Sequence, residues 1–226
     1  MRIEGELIEG VFIRELKNRF RCYVEVNGEE RLCYISSSSK LANFIELKGK
    51  KVILTPSSKS AKATDYTLLA ARHRNGYILL DLSIANAIIA EQISRRCFSF
   101  LGERSSIKRE KTVAGYKADL YVEDTNTLVE IKTVITDRKQ GAFPTVASQR
   151  SVEQLKKISS LLESGYKCCI LFVALSPSIE SISINRRGEY HDILQECIKK
   201  GLVCKACQIK MSGDEITVNR FIDLTV

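Results

Sequence analysis

Two acidic residues and one lysine are the side chains in this sequence whose types and spacing best fit catalysis. Asp119 lies within a short apolar run, 118–122, and Glu130 and Lys132 lie within a second apolar run, 127–134. The four polar residues between the runs predict a hairpin that pairs two neighbouring strands. Because side chains alternate along a strand, Glu130 and Lys132 are expected on the same face. Pairing of the strands would then bring Asp119 close to Glu130.

Paired carboxylates beside a lysine suit the hydrolysis of a phosphodiester. Two carboxylates held side by side repel each other and therefore favour a divalent cation between them. Mg²⁺, or Mn²⁺ in its place, takes such oxygen ligands and usually retains water molecules. A lysine beside the cation can orient an attacking water or stabilise the charge that builds on a phosphate. The same pattern also fits the wet face of an ordinary strand, and this alternative stays open.

The composition is that of a globular protein with an excess of positive charge. The 226 residues can form one large domain or two small ones. Lys and Arg outnumber Asp and Glu by 35 to 27, a net charge of +8, which suits nucleic acid as a partner. No apolar segment is long enough to cross a bilayer, and the first ten residues lack the apolar core of a signal peptide. We therefore expect a cytoplasmic protein without a membrane partner, and a homodimer is left open.

Eight cysteines raise the question of disulfides or zinc. Only Cys204 and Cys207 have the spacing of metal ligands, and the sequence has no second pair of this kind. Their flanks predict a strand, in which positions three apart face opposite ways. The other six cysteines lie in or beside apolar runs. Reduced, unligated thiols are therefore the expectation for a cytoplasmic protein, with structural zinc as the alternative.

The first 80 residues predict a small β-barrel of the OB type. Short strand-like runs alternate with turns, among which Asn27-Gly28 is a strong signal for a two-residue hairpin loop. A short helical piece is expected at 41–47. Basic and aromatic residues alternate along these strands, which suits base stacking in a charged groove, although most aromatics of so small a barrel are expected in its core. The residues expected to contact nucleic acid here are Arg14, Arg19, Arg21 and Tyr23.

After Leu80 the period of the apolar pattern changes and predicts a second domain. A helix is expected from Ser83 to about residue 96, a second at 148–164 and a third at 189–200. Strand-like runs are expected outside these helices at 107–113, 167–174 and 203–210, and residues 136–145 are expected to form a loop. Alternation of strands and helices predicts an α/β domain, so the chain as a whole is α+β, with domains at 1–80 and 81–226.

With these elements placed, the sequence resembles the sugar fermentation stimulation protein A family, SfsA, over essentially its whole length. The resemblance rests on Tyr66-Thr67-Leu68-Leu69, Ala85-Asn86 through Glu91, Ala118-Asp119, Val129-Glu130-Ile131-Lys132-Thr133-Val134, Phe143-Pro144, Arg150, Leu155 and Leu171-Phe172-Val173. It implies an OB-like barrel joined to a restriction-endonuclease-like domain of the PD-(D/E)xK class. It also implies that Asp119, Glu130 and Lys132 form the catalytic core, with Glu91 as a further acidic residue at the metal and the main-chain carbonyl of Ile131 as a further ligand.

The sequence departs from the family pattern around the site that the resemblance implies. Phe143-Pro144 is followed by Thr145-Val146 where the family has Asp-Ala, and Gln154 stands where the family has His. Residues 148–151 read Ser-Gln-Arg-Ser where the family has Thr-Glu-Arg-Gly, and the family's His-Cys-Pro-Asn-Thr-Gly stretch corresponds to residues 32–37. The metal-binding set is retained, so nuclease chemistry is still expected, in a divergent member.

Three functional hypotheses follow from these observations. The first is a Mg²⁺- or Mn²⁺-dependent nuclease acting on DNA or RNA, in which Arg150 and Gln149, in the first turn of the second helix, contact phosphate. The second is a DNA-binding transcriptional regulator of sugar use that retains the fold without cleavage. The third is a small-molecule or protein-binding module whose basic surface is incidental. Salt-dependent binding to a polynucleotide would separate the third hypothesis from the others.

Overall fold

The fold is described from a computed structural model of the chain. The structure describes residues 1–17, 20–37, 40–57, 64–146 and 148–226. Arg19, one of the residues expected to contact nucleic acid, lies outside them.

The N-terminal part forms a closed OB barrel. Its strands are β1 (Ile8–Glu15), β2 (Arg21–Val26), β3 (Glu29–Tyr34), β4 (Lys51–Pro56) and β5 (Tyr66–His73), and β6 (Gly76–Leu79) extends the sheet beyond β5. The strand order is β3-β2-β1-β4-β5-β6, and a parallel pairing of β3 with β5 closes the barrel. Asn27 and Gly28 both have positive φ, as the two-residue turn between β2 and β3 requires.

The helical piece expected at 41–47 is only a short 3-10 turn, Leu41–Asn43. The Glu15 carboxylate accepts hydrogen bonds from the N–H groups of Leu41 and Ala42, at 3.2 and 3.4 Å. These bonds satisfy the turn's free donors, but the following residues bury Ile45 and Leu47 at a spacing of two rather than four. The segment therefore leaves the helical path after one turn.

The second part of the chain is a mixed sheet flanked by helices. The helices are α1 (Ser83–Gln92), α2 (Gln149–Glu163) and α3 (Glu189–Lys199), and a 3-10 segment spans Arg96–Leu101. The strands are β7 (Ile107–Arg109), β8 (Thr112–Val113), β9 (Tyr116–Lys117), β10 (Leu120–Val122), β11 (Thr127–Val134), β12 (Gln140–Phe143), β13 (Lys167–Ala174), β14 (Ser181–Ile184), β15 (Val203–Ser212) and β16 (Glu215–Thr225). The order in the large sheet is β12-β14-β16-β15-β13-β11-β10-β7, while β8 and β9 form a separate hairpin.

The sheet separates two apolar cores. The first core joins barrel side chains, α1 and one face of the sheet, and the second lies between the other face and helices α2 and α3. Strand β11 contributes Val129 and Ile131 to the first core and Leu128 to the second. Glu130 and Lys132 therefore project from the α2 side of the sheet, while Ile131 points into the first core, as strand alternation predicts.

The cysteines follow the same division. All eight are free; Cys97 is exposed, Cys204 is half-buried and the remaining six are buried. Cys204 packs beside the second core and Cys207 belongs to the first, so the two face opposite sides of β15. Burial raises the pKa of each of these two thiols to about 12, which keeps them protonated and unreactive at neutral pH.

The sequence predicted the wrong secondary structure for two segments. Residues 136–145 are not all loop, because β12 lies within them and pairs in parallel with β14. A side chain at Gly141 would come within 2.7 Å of Val134, so β12 needs a glycine that weakens the strand signal. The run 107–113 is not one strand either, because Glu110 adopts a positive φ of 52° and separates β7 from β8. Among the described residues, the structure has no helix long and apolar enough to span a membrane.

Candidate active site

Asp119 lies where the β8–β9 hairpin leads into β10. The antiparallel register pairs Leu120 with Val129, which places Asp119 beside the next residues of β11. Its Oδ2 atom accepts a hydrogen bond from the backbone N–H of Ile131 at 2.7 Å. Its Oδ1 atom accepts one from the Asn86 side chain of α1 at 3.0 Å. The carboxylate is thus fixed against the strand that carries Glu130.

Glu130 lies in a network that occupies both of its oxygens. Its Oε1 atom accepts hydrogen bonds from Lys132 Nζ at 2.8 Å and from Gln154 Nε2 at 2.9 Å. The Gln154 Oε1 atom accepts a second bond from Lys132 Nζ at 2.6 Å, so this α2 side chain bridges the glutamate and the lysine. The Tyr116 hydroxyl donates to Glu130 Oε2 at 2.5 Å. Only 6% of the Glu130 side chain and 12% of the Lys132 side chain are exposed.

The electrostatics show that the two carboxylates interact. Burial raises the pKa of Asp119 above its usual value, and the charge of Glu130 raises it further. The Ile131 N–H, the Lys132 ammonium and the Asn86 amide oppose this rise. Burial and the Glu130 charge also raise the pKa of Tyr116, so its hydroxyl stays protonated and remains a donor. The repulsion between Asp119 and Glu130 is the feature that a bound cation would relieve.

These residues line one wall of a cleft of about 450 Å³ between the barrel and the second domain. Ser37 and Phe44 of the barrel face it, together with Phe143, Pro144, Thr145 and Val146 on the other side. The first turn of α2 also opens onto the cleft through Ser148 and Arg150. The Ser148 Oγ atom caps the helix by accepting the Ser151 N–H at 3.3 Å. A helix N-terminus and an exposed arginine make this end of the cleft suited to an anion.

Comparison with known proteins identifies a family that matches both parts of the chain. Residues 83–215 match the model of the sugar fermentation stimulation protein RE domain, and residues 15–80 match that of the SfsA N-terminal OB domain. The chain belongs to the sugar fermentation stimulation protein family. A homolog from Desulfitobacterium hafniense strain Y51 is 26% identical over 219 residues, covering 95% of this chain and 94% of its own length. One from Acetivibrio thermocellus is 27% identical over 221 residues, again with 95% and 94% covered.

A solved structure shares the fold of this SfsA family member. Pyrococcus furiosus SfsA, in complex with Ca²⁺, aligns with a TM-score of 0.86 at 20% sequence identity. The alignment covers 100% of this chain and 98% of the other. The two proteins thus share the order of barrel followed by mixed-sheet domain.

The structure brings together most of the site that the family resemblance implies. Asp119, Glu130 and Lys132 line the same cleft, together with Ile131. In a strand the N–H and C=O of one residue point to the same side. Because the Ile131 N–H bonds to Asp119, its carbonyl is directed to the Asp119 side as well. Two interacting carboxylates and the residue that carries this carbonyl therefore line one cleft in this SfsA family member.

The structure does not bring Glu91 to these residues. Its carboxylate contacts the N-terminal amino group of Met1 at 3.0 Å, and 55% of its side chain is exposed. Asn86, on the same helix, contacts Asp119 instead. Asn86 and Glu91 are five positions apart in α1, which places their side chains about 140° apart around the helix axis. Both side chains therefore cannot face the site. Within the described ranges, no three His, Cys, Asp or Glu side chains are grouped as for a metal.

The other residues expected to bind nucleic acid do not lie together. Arg150 lines the cleft, but Gln149 bonds to Glu153 at 3.0 Å on the surface of α2. Arg14, Arg21 and Tyr23 lie on the barrel. The sequence analysis missed Tyr116 and the bridging role of Gln154. Tyr116 and Ala118 are buried in the second core, next to the site.

Proposed function

We propose that this SfsA family member is a metal-dependent nuclease that hydrolyses phosphodiester bonds in DNA or RNA. The observation that carries the proposal is the pair of mutually repelling carboxylates, Asp119 and Glu130, set beside Lys132 on a cleft wall. Buried acidic groups with a perturbed pKa and a specific charged partner, placed in a cleft, are characteristic of catalytic sites. The net charge of +8 favours a polyanionic substrate.

The residues present fit a hard divalent cation. Mg²⁺ is commonly held by one or two carboxylates and completes its coordination with water and substrate phosphate, so a third acidic side chain is not required. Asp119, Glu130 and the Ile131 carbonyl would hold it. Both Asp119 oxygens and Glu130 Oε2 accept one hydrogen bond each and retain a second lone pair, whereas Glu130 Oε1 already accepts two. The Pyrococcus furiosus relative was solved in complex with Ca²⁺, which supports the binding of a divalent cation by a protein of this fold. When bound, Mg²⁺ or Mn²⁺ supplies Lewis-acid polarisation of the phosphate and acidifies a water.

The chain's own side chains supply positioning and positive charge. Lys132, held by Glu130 and Gln154, presents an ammonium group at the cleft wall, where it can orient a water or stabilise charge on the phosphate. Tyr116 and Gln154 fix the Glu130 carboxylate from two sides. Arg150 and the first N–H groups of α2 would bind a phosphate at the other end of the cleft.

A second candidate is a DNA-binding transcriptional regulator that does not cleave. One observation favours it: both Glu130 oxygens are already engaged, by Lys132 and Gln154 on one side and by Tyr116 on the other. A lysine that neutralises the carboxylate could replace the cation in a site that has lost catalysis. In that case the basic surface would bind DNA through phosphate contacts alone.

A cleavage assay on single- and double-stranded DNA and RNA, with Mg²⁺, Mn²⁺, Ca²⁺ or chelator, tests the proposal. We expect Glu130→Gln and Lys132→Ala each to slow cleavage by roughly a hundredfold or more, as loss of one preorganised charged group typically does. Binding should survive, since phosphate contacts elsewhere supply most of the affinity.

The matched controls are Glu180→Gln and Lys139→Ala, which remove the partners of an exposed ion pair of 2.9 Å in the same domain. Both controls should cleave at the wild-type rate. Wild-type protein that binds a polynucleotide but cleaves it with none of these metals would establish the regulator instead. Equal cleavage by wild type and both site variants would place the chemistry elsewhere.

A further inference from the structure

One outward face of the barrel carries two arginines and two tyrosines. The register pairs Arg14 of β1 with Tyr23 of β2, and Arg21 of β2 with Tyr34 of β3. Directly opposed residues share a face of a sheet, as do residues two apart on one strand. All four side chains therefore lie on the same side of these strands, which we call the barrel face. The intervening Cys22 points to the core and is completely buried.

The barrel face has an arginine–aromatic contact of the kind found in proteins that bind nucleic acid. The Arg14 guanidinium lies over the Tyr23 ring, 4.4 Å from its centroid. Tyr34, paired with Arg21, is 38% exposed. Exposed aromatic rings beside arginines form a platform on which bases stack while the phosphates meet positive charge.

The barrel face adjoins the cleft. Ser37, on the cleft wall, follows Tyr34 by three residues, a span of at most about 11 Å of extended chain. The Leu82 N–H donates to the Ser36 carbonyl at 3.2 Å and so fixes this segment against the start of α1. Leu82 itself lines the cleft, and Asn86 on the same helix holds Asp119. The segment 34–37 is thus a fixed connection between the tyrosine and the carboxylates.

The cleft continues the same alternation of apolar and positive groups. Phe44 of the barrel and Phe143 and Val146 of the second domain line it, and Val146 is 43% exposed. Lys132 and Arg150, which line the same cleft, supply positive charge. Bases could therefore contact apolar side chains along the whole route while phosphates meet cations.

We propose that the barrel face and the cleft form one continuous path for single-stranded nucleic acid, with the strand crossing the segment 34–37. This inference rests on the proposed nuclease function and names its substrate class. A base can stack on Tyr34 only if one of its flat faces is free, whereas in a duplex both faces are covered by neighbouring base pairs. Duplex substrates would therefore lose the contacts with the barrel face and reach only the cleft.

The test compares Tyr34→Ala and Arg21→Ala with wild type on three substrates: a 20-nucleotide single strand, its duplex, and bis(p-nitrophenyl) phosphate, which occupies the cleft alone. For the single strand we expect KM and the Kd measured by fluorescence anisotropy to rise at least about fivefold in Tyr34→Ala, the smallest effect usual for loss of one stacking platform. Hydrolysis of the small diester should be unchanged in both variants, and hydrolysis of the duplex should be unchanged in Tyr34→Ala. Tyr34→Phe keeps the ring and should behave as wild type, and Arg72→Ala, an exposed arginine on β5, is the matched charge control.

Each outcome decides the inference. Unchanged single-strand KM and Kd in Tyr34→Ala, or an equal loss on the duplex, would overturn the path. If wild type hydrolyses none of the three substrates, the nuclease proposal fails, but the Kd comparison in chelator still tests the path. A fivefold loss of single-strand affinity in Tyr34→Ala with wild-type affinity in Tyr34→Phe would then support a non-catalytic single-strand site.

Discussion

At the scale of residues, the side chain that most constrains the candidate site is Gln154. Its amide bonds to Glu130 at 2.9 Å and to Lys132 at 2.6 Å, so one group sets the orientation of both. An amide suits this position because it offers a donor to the carboxylate and an acceptor to the ammonium at the same time. A titratable histidine would offer one of each only when neutral.

We predict that Gln154→Leu, which removes both bonds and keeps a similar size, lowers kcat by about 10- to 100-fold, the usual range for partners that orient metal-binding groups. The apparent affinity for Mn²⁺, measured from the rate at increasing metal concentration, should fall in parallel. Single-strand Kd should change little, because Gln154 does not carry charge. Gln195→Leu is the control, since this amide lies near His191 on α3 and does not line the cleft. A Gln154→Leu enzyme with normal kcat and normal metal dependence would contradict this role.

The sequence predicted those site contacts that depend on near neighbours in the chain. Glu130 and Lys132 share a face because strand alternation leaves no other arrangement, and Asp119 reaches them through a four-residue hairpin. Gln154 and Asn86 reach the site from helices that are distant in sequence, and no local pattern encodes such contacts. Glu91 illustrates the converse, because a helix was correctly expected but its rotation about its axis was not.

At the scale of elements, the same distinction separates the middle of the large sheet from the strands on its β12 side. β13 is a continuous apolar run covered on both faces, and its predicted bounds, 167–174, match the structure. β12, β14 and β16 were not predicted, since short or polar strands at one side of a sheet depend on their partners for stability rather than on their own pattern. The cleft wall at Phe143 comes from one of these strands, so the sequence could not place it.

His73, at the end of β5, interacts with Asp137 in the segment after β11. From this histidine we expect the stability of the fold to depend on pH. Burial lowers its pKa below the usual 6.5, and the charges of Arg74 and Lys50 lower it further, against the opposing effect of the Asp137 carboxylate and backbone. Because the folded state binds a proton less readily, the unfolded state takes up more protons below pH 6.5. The stability contributed by neutral His73 is therefore complete above pH 6.5 and is lost as pH falls toward the folded pKa.

We predict that the melting temperature of wild type declines more between pH 7.5 and pH 5.5 than that of His73→Gln. The difference in melting temperature between wild type and the variant should thus shrink as pH falls. Differential scanning fluorimetry at several pH values would show this change. Curves that remain parallel across this range would show that His73 titrates alike in both states.

At the scale of the whole molecule, the two parts of the chain share a core. Barrel residues such as Leu54 and Leu68 belong to the same apolar cluster as Ile88 of α1 and Leu171 of β13. The Leu79 N–H of β6 also donates to the Leu175 carbonyl of the second domain at 2.8 Å. The proposed boundary near residue 80 therefore divides two architectures that are joined by one packed interior. Such an interior also holds the barrel face and the cleft in a fixed relation, which a substrate path across both requires.

From this shared core we predict a single cooperative unfolding transition, with equal calorimetric and van't Hoff enthalpies. Leu80→Ala, at a completely buried position at the junction, removes packing that both parts use. Loss of a buried leucine typically costs about 2–5 kcal/mol, which corresponds to a fall of roughly 4–20 °C in Tm for a chain of this size. Leu161→Ala, in the second core, should move the same single transition. Two resolved calorimetric transitions, of which Leu80→Ala shifts only one, would show instead that the barrel unfolds independently, and the fixed relation between barrel face and cleft would then lack its physical basis.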